Sequence, residues 1–287
     1  MTGRDTATFA GKAALIYGGA KGIGRAVAVE FARRGAAVAI ADIDIGQARE
    51  TASLVEAAGA RATAIRCDVT SEASVREAAV LAETALGETG IVMNNVGALL
   101  QGNLEDIPVS EWQRIWDLNL MSVVHSNAVF VPKMLARGSG FIVNTASFAG
   151  LYPYAFTRMP YVATKAAVIA LSESMALRLE PAGIRVSCLC PGPVLTGVAD
   201  AMKSWTAGLE LVGPGSHLEL KTAEEVAVTL ADGMEAGRII IPSDAAVWET
   251  MARHWADPDA FIRTKIAELA GGDNGKPRIP AHLLAGR

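Results

Sequence analysis

Cysteine is scarce: Cys67, Cys188 and Cys190 are the only three in 287 residues, too few for a disulfide framework. Cys188 and Cys190 fall on one face of an apolar run that reads as a strand, and no second pair completes a metal site beside them. The four histidines, His125, His217, His254 and His282, stand far apart without H-x-x-x-H or H-E-x-x-H spacing, so no metal is expected. Positive charge is equally short, with 26 Lys and Arg against 30 Asp and Glu. That leaves no basic surplus to track a phosphate backbone, and a nucleic-acid partner is excluded. No stretch reaches the roughly 18 uninterrupted apolar residues of a spanning helix, and the first ten residues lack the apolar core of an export signal. No membrane association is expected, and the cytoplasm is the expected location. What the chain does have is apolar bulk, 51% hydrophobic against 20% charged, ample for a buried core and unlike a disordered chain.

That bulk is distributed with a rhythm. Short β-rich runs at 12–17, 36–41, 62–67, 91–93, 140–145, 185–189 and 238–241 alternate with helical periods at 23–34, 47–58, 72–86, 110–137, 161–180 and 224–234. Seven strands separated by helices predict a single-domain, doubly wound α/β fold, a parallel sheet with helices on both faces. The domain is expected to run over 11–270, between a tail at 1–10 and a Gly- and Pro-rich tail at 271–287. Within it, 192–221 is long and weakly periodic, which suits a substrate loop or lid, and 248–270 has a helical pattern that is expected to cover the site.

The first strand runs into Gly18-Gly19-Ala20-Lys21-Gly22-Ile23-Gly24, a G-x-x-x-G-x-G turn that opens a helix. Glycines there allow a tight turn and close approach of backbone to a pyrophosphate, whose charge the helix N-terminus favours. Eighteen residues past Gly24, Asp42 ends the second strand, where a carboxylate accepts hydrogen bonds from the adenosine ribose. It would repel a 2′-phosphate, and the next residue is Ile43 rather than an arginine. NAD is therefore expected over NADP, although Lys21 and Arg25 are cations within reach of a phosphate.

Tyr161 and Lys165 are four apart at the start of a helix and project from one face. A neighbouring ammonium favours a phenolate and brings it toward operating pH, where it can exchange a proton with substrate.

Together these residues resemble the short-chain dehydrogenase/reductase family. Tyr161-x-x-x-Lys165 is similar to its catalytic pair, Gly18-x-x-x-Gly22-Ile23-Gly24 to its cofactor turn, and Asn94-Asn95-Val96-Gly97 to the segment after its fourth strand. Ser147 falls where the family places a catalytic serine and Asn119 where it places an asparagine. Asp68-Val69 resembles the adenine-contacting pair, and 191–196, with Pro191, Gly192, Val194 and Thr196, the segment lining the nicotinamide. The likeness spans about 11–241, with Tyr17 in place of a threonine and Val96 in place of an alanine. It implies a Rossmann-type fold and hydride transfer between NAD and a carbinol carbon. Tyr161 would move the hydroxyl proton and Ser147 would bind the substrate oxygen. Lys165 would lower the Tyr161 pKa and hold the nicotinamide ribose, and Asn119 would hold a water. The family also implies a homo-oligomer, a tetramer or else a dimer, built on the helices over 112–137 and 161–180.

Five of the chain's 16 aromatic residues lie between positions 148 and 161. Phe148, Tyr154 and Tyr161, with Leu195, Met202 and Trp205 from the following loop, are expected to wall a pocket for a bulky, hydrophobic secondary alcohol or its ketone, aromatic or alicyclic. Three readings stand beside this one: reduction of a polar or acidic carbonyl with NADP, for which Arg158 would supply a cation; an enoyl reductase or sugar epimerase; and a dinucleotide-binding sensor without turnover. The sensor would require a missing member of the Ser147, Tyr161, Lys165 and Asn119 set, and none is missing.

Overall fold

The computed structural model describes residues 8–197 and 202–284, so the ends at 1–7 and 285–287 of the expected tails, and 198–201 of the expected loop, lie outside the described residues. Seven strands form one parallel sheet: β1 (Ala13–Tyr17), β2 (Ala37–Asp42), β3 (Ala62–Arg66), β4 (Thr89–Asn94), β5 (Gly140–Thr145), β6 (Ile184–Cys190) and β7 (Ile240–Pro242). Their order is β7-β6-β5-β4-β1-β2-β3. The strand runs are continuously apolar because both faces are covered; all five residues of β1 are buried.

Helices α1 (Gly22–Arg33), α2 (Ile45–Ala57) and α7 (Ala223–Glu235) lie on one face, where Val27, Phe31, Val55, Val226 and Leu230 meet Ile16 and Ile40. Helices α3 (Glu72–Leu86), α5 (Ser122–Arg137) and α6 (Met159–Leu179) cover the other through Val75, Phe130, Met134 and Leu179. Each such fully buried aliphatic or aromatic side chain contributes about 1.5–3 kcal/mol. The strand order reverses between β1 and β4, and the crevice at the carboxyl ends of those strands is where such sheets bind ligands.

The periodic stretch 110–137 is not one helix. It divides into α4 (Val109–Trp116), a π turn at Asp117–Met121 and α5. The extra residue of a π turn changes the helical phase, and here it carries Asn119, fully buried, into contact with the loop after β4. After β7 come α8 (Val247–Ala256) and α9 (Pro258–Ala270), separated where Asp257 caps Ala260 N at 2.9 Å ahead of Pro258. Phe261 of α9 packs edge-on against Tyr152 at 6.2 Å.

Two expected loops prove to be pinned. The 192–221 segment pairs Val194–Leu195 with Lys221–Thr222, and Lys203–Ser204 with Leu100–Gln101. The tail after α9 is extended but bound along this segment: Gly213 N donates to Asn274 O at 2.8 Å, Gly215 N to Gly275 O at 3.0 Å, and Arg278 N to Leu218 O at 2.8 Å. At the other end Phe9, expected in a tail, is buried against Phe31 with ring centroids 4.7 Å apart.

Candidate active site

The glycine turn is built by its backbone. Gly18 and Gly22 hold φ of 76° and 56°, the left-handed region in which a side chain is strained, and a Cβ on Gly24 would collide with the Gly18 carbonyl. Asn95 fixes the turn to the sheet: its Nδ2 donates to Gly18 O at 2.9 Å, and its Oδ1 accepts from Thr145 Oγ1 at 3.1 Å. On the far side Ala20 O accepts from both Arg25 Nε and Thr51 Oγ1 at 2.9 Å. Arg25, which also pairs with Glu50 at 3.2 Å, is therefore a brace of the turn rather than a free cation.

Asp42 has a second role that its strand-end position did not announce. Oδ2 accepts from Ala20 N at 3.1 Å and Oδ1 from Asp44 N at 3.1 Å, so the acid that would meet the ribose also shapes the turn. Lys21 is the N-cap of α1 without a side-chain capping bond, and the first helical turn has no acidic residue. The positive end of α1 is thus left for an anion. Thr196 stands across from Gly22, 3.4 Å from where its Cβ would be. The residues of the turn, with Asp42, fit a dinucleotide: open N–H groups at a helix start, a cradle that a Cβ would fill, and a carboxylate at the second strand. Asp68 is engaged locally, its Oδ1 accepting from Thr70 N and Oγ1 at 3.0 and 2.7 Å, which holds its carboxyl below the usual range.

Across the crevice, β5, β6 and α6 bring the proton-transfer set together. Lys165 is 3% exposed; its Nζ donates to Thr145 O at 2.7 Å and lies 5.8 Å from the Tyr161 ring centroid. Ser147 Oγ donates to Pro191 O at 3.4 Å and accepts from Ala149 N at 3.2 Å, beside the Tyr161 hydroxyl. Asn119 Oδ1 accepts from Ala98 N at 2.9 Å, and its Nδ2 donates to Ala98 O and Thr164 Oγ1, each at 3.1 Å. Asn119 and Lys165 converge on Gly97, where a Cβ would stand 3.5 Å from Asn119 Oδ1 and 3.1 Å from Lys165 Nζ.

Burial governs the electrostatics of this set. It raises the Tyr161 hydroxyl above its ordinary value, offset in part by the neighbouring Ser147 hydroxyl and the charge of Arg158. Desolvation brings the Lys165 ammonium down to about 8, and that ammonium is turned to a carbonyl.

The pocket wall also needs correction. Phe148 is fully buried, and its ring fills the space where a Gly192 Cβ would be; it is core, packed with Cys190 and Val247, and not a substrate wall. Trp205 is half-buried against Leu100, Ile107 and Ile115. Tyr154, Met202 and Leu195 remain at least partly accessible, Leu195 being 54% exposed. Pro191 O accepts from Phe148 N at 2.8 Å, and Gly192 N donates to Ser243 Oγ at 2.9 Å, fixing the start of the 192–221 segment. Thr145, whose carbonyl holds Lys165, and Thr164, whose hydroxyl accepts from Asn119, escaped sequence reasoning: a main-chain acceptor carries no side-chain signature, and a lone helical threonine reads as ordinary.

Residues 12–207 match the family model described as short chain dehydrogenase. The chain belongs to the short-chain dehydrogenase family. Two curated members are 33% and 34% identical to it. One is the 2,5-dichloro-2,5-cyclohexadiene-1,4-diol dehydrogenase of Sphingobium indicum, over 74% of this chain and 86% of that one. The other is the 7alpha-hydroxysteroid dehydrogenase of Escherichia coli, over 71% and 78%. A short-chain dehydrogenase/reductase from Burkholderia phymatum, solved in complex with NAD, superposes with a TM-score of 0.77 at 31% identity, covering 88% of this short-chain dehydrogenase and 96% of its own chain.

Proposed function

We propose that this short-chain dehydrogenase transfers hydride between NAD and a bulky, mostly apolar secondary alcohol, alicyclic or aromatic, or the corresponding ketone. The observation that carries the reading is the convergence of the Tyr161 hydroxyl, Ser147 and Lys165 at the carboxyl ends of β5 and β6, beside a glycine turn and Asp42 that suit a dinucleotide. Bound NAD supplies the hydride acceptor. Gly18, Lys21, Gly22, Ile23 and Gly24 hold its pyrophosphate at the start of α1, Asp42 its adenosine ribose, and Asp68 and Val69 border the adenine. Asn95, Pro191, Gly192, Val194 and Thr196 line the nicotinamide end.

In oxidation, Ser147 Oγ donates to the carbinol oxygen and orients it, while Tyr161 takes the hydroxyl proton as the C–H bond breaks. In reduction the same hydroxyl returns the proton. Lys165 holds the nicotinamide ribose, and Asn119 keeps the main chain around Gly97 and Lys165 in register. The apolar wall is Tyr154, Leu195 and Met202. Covering roughly 100 Å² of ring against it gains about 2.5 kcal/mol at about 25 cal/mol per Å², which a small polar alcohol forgoes. The two named curated relatives act on a cyclohexadienediol and a hydroxysteroid, both alicyclic secondary alcohols, and the solved relative binds NAD. We further take the enzyme to be a cytoplasmic homotetramer, since Leu177 of α6 is 83% exposed and Val124 of α5 is exposed beside the core stripes of those helices.

The test compares kcat/KM for cyclohexanol and 1-phenylethanol with that for 2-propanol and a short 2-hydroxy acid, with NAD and with NADP. The ring alcohols and NAD are expected to lead by tenfold or more; better turnover of the small or acidic alcohols overturns the substrate reading.

A further inference from the structure

The stretch 212–220 belongs to no strand of the sheet, and its main chain is paired instead by the far end of the molecule. Gly213 N and Gly215 N donate to Asn274 O and Gly275 O at 2.8 and 3.0 Å, Leu220 N donates to Arg278 O at 2.9 Å, and Arg278 N donates back to Leu218 O at 2.8 Å. Arg278 adds a bond from Nη2 to His217 O at 3.1 Å and an ion pair with Glu219 at 3.3 Å, and Lys276 reaches Glu210 at 3.7 Å. Such exposed ion pairs add little; the main chain carries the contact. Two bare glycines let it form. A Cβ on Gly213 would collide with Gly275 O, and the three atoms nearest to it all belong to the tail; a Cβ on Gly275 would stand 2.8 Å from Gly213 O.

The intervening carbonyls of the same stretch are gripped from the chain that leads into Tyr161. Arg158 Nη2 donates to Val212 O at 2.6 Å, and the Tyr152 hydroxyl donates to Pro214 O at 2.8 Å. Leu218, fully buried, joins Tyr152, Met251 and Phe261 in one apolar cluster. The Tyr152 ring lies 6.2 Å from that of Phe261 in α9 and 5.3 Å from that of Tyr154, which is itself 5.7 Å from the Arg158 guanidinium. The carboxyl-terminal extension thus holds Tyr152 twice, at its hydroxyl through Pro214 and at its ring through Phe261. Tyr154 is the next ring along.

We propose that 273–279 is a strap that sets substrate selectivity: seated on 212–220, it fixes Tyr152 and Arg158, and through them the position of Tyr154 against a ring-sized substrate. The inference rests on the reading of Tyr154 as a wall of the pocket. A small alcohol does not reach that wall, so the strap acts on the choice between substrates and leaves the cofactor's hold alone.

The experiment unseats the strap from each side in the full chain. Gly213→Ala places a methyl against the tail, and Gly275→Ala places one against Gly213. Gly275 has φ of 59°, so Gly272→Ala, with φ of 85° and nothing within 4 Å of the added methyl, serves as the control for left-handed strain. In both unseating variants kcat/KM for cyclohexanol is expected to fall about tenfold, chiefly through KM, while that for 2-propanol stays within about twofold. The Kd for NADH should not move, and Gly272→Ala should match the unmodified protein. Hydrogen exchange followed peptide by peptide should quicken about fivefold or more at 213–220 and also at 151–158, which the strap does not touch directly. Should Gly213→Ala fail to fold, Gly275→Ala against Gly272→Ala decides. Equal losses with cyclohexanol and 2-propanol, exchange at 213–220 or at 151–158 that stays as in the unmodified protein, or a Gly272→Ala that behaves like Gly275→Ala overturns the proposal. An unmodified protein that oxidises no alcohol would instead defeat the dehydrogenase reading, and exchange at 151–158 would then decide whether the strap positions Tyr152.

Discussion

Lys165 donates its ammonium proton to the main-chain oxygen of Thr145 at 2.7 Å, from a position only 3% exposed and next to the ring of Tyr161. A buried ammonium with one carbonyl partner is costly to keep charged, and the consequences reach both stability and chemistry.

The first consequence is a stability that rises with pH. Below about pH 8 Lys165 is protonated in both the native and the unfolded chain, and the native state bears the full desolvation cost. Between about 8 and 10.5 the native chain sheds the proton while the unfolded chain still holds it, so the unfolded state binds more protons and stability increases. Urea unfolding should find the native state gaining about 3 kcal/mol relative to Lys165→Met across that window. A flat or falling difference contradicts the assignment.

Tyr161→Phe removes one oxygen and leaves the ring over Lys165. Turnover should fall by about a hundredfold or more, since general acid–base catalysis is worth roughly 10²–10⁴. NADH affinity, measured by fluorescence, should stay within about twofold. Retention of a tenth of the activity would remove Tyr161 from the proton path.

Asp42→Ala deletes two acceptors of main-chain N–H groups along with the charge. The loss of two hydrogen bonds should cost about 1–3 kcal/mol in thermal or urea unfolding. Removing the repulsion of a 2′-phosphate should lower the NAD-to-NADP ratio of kcat/KM by roughly tenfold. A variant that loses stability without any change in that ratio would reduce Asp42 to a turn residue.

Gly24→Ala and Gly59→Ala make a matched pair. At Gly24 the added methyl meets the Gly18 carbonyl, whereas at Gly59, with φ of 90°, nothing lies within 4 Å. Both should lose stability, about 1–3 kcal/mol at Gly24 and about 1 kcal/mol at Gly59. Isothermal titration should find NAD binding lost at Gly24 and unchanged at Gly59.

Trp205→Ala withdraws the indole from Leu100, Ile107 and Ile115. KM for a ring alcohol should rise severalfold while the Kd for NADH is unaltered, because Leu100, Ile107 and Ile115 are not among the residues read as holding the cofactor. An unchanged KM would mean that the lid holds without it.

The alternation of strand and helix was legible because a fully covered parallel strand is a continuous apolar run, and all seven strands lie within about two residues of the expected spans. The glycine turn and the Tyr161–Lys165 spacing were legible for a local reason, since both are set within one element. What stayed hidden was longer in range. The π turn at Asp117–Met121 has no composition of its own; it follows from Asn119 reaching Ala98. Phe148 reads as a pocket aromatic by neighbourhood, yet the bare Gly192 backbone admits its ring to the core. The direction of the Lys165 ammonium depends on the Thr145 carbonyl at the end of β5, which no side-chain pattern encodes.

The pairing of 274–278 with the lid makes the carboxyl-terminal segment mechanical. Gly213, Gly215, Leu218 and Leu220 all exchange main-chain hydrogen bonds with it, and the Gly213–Val212 stretch is the one that Arg158 and, through Pro214, Tyr152 grip from below. A pull on this end of the chain, from a fused domain or a surface to which the enzyme is tethered, is therefore delivered to the 213–220 stretch and not to the sheet. For immobilised use, attachment should be made elsewhere on the molecule, on α2 or α3, where strain has no such path.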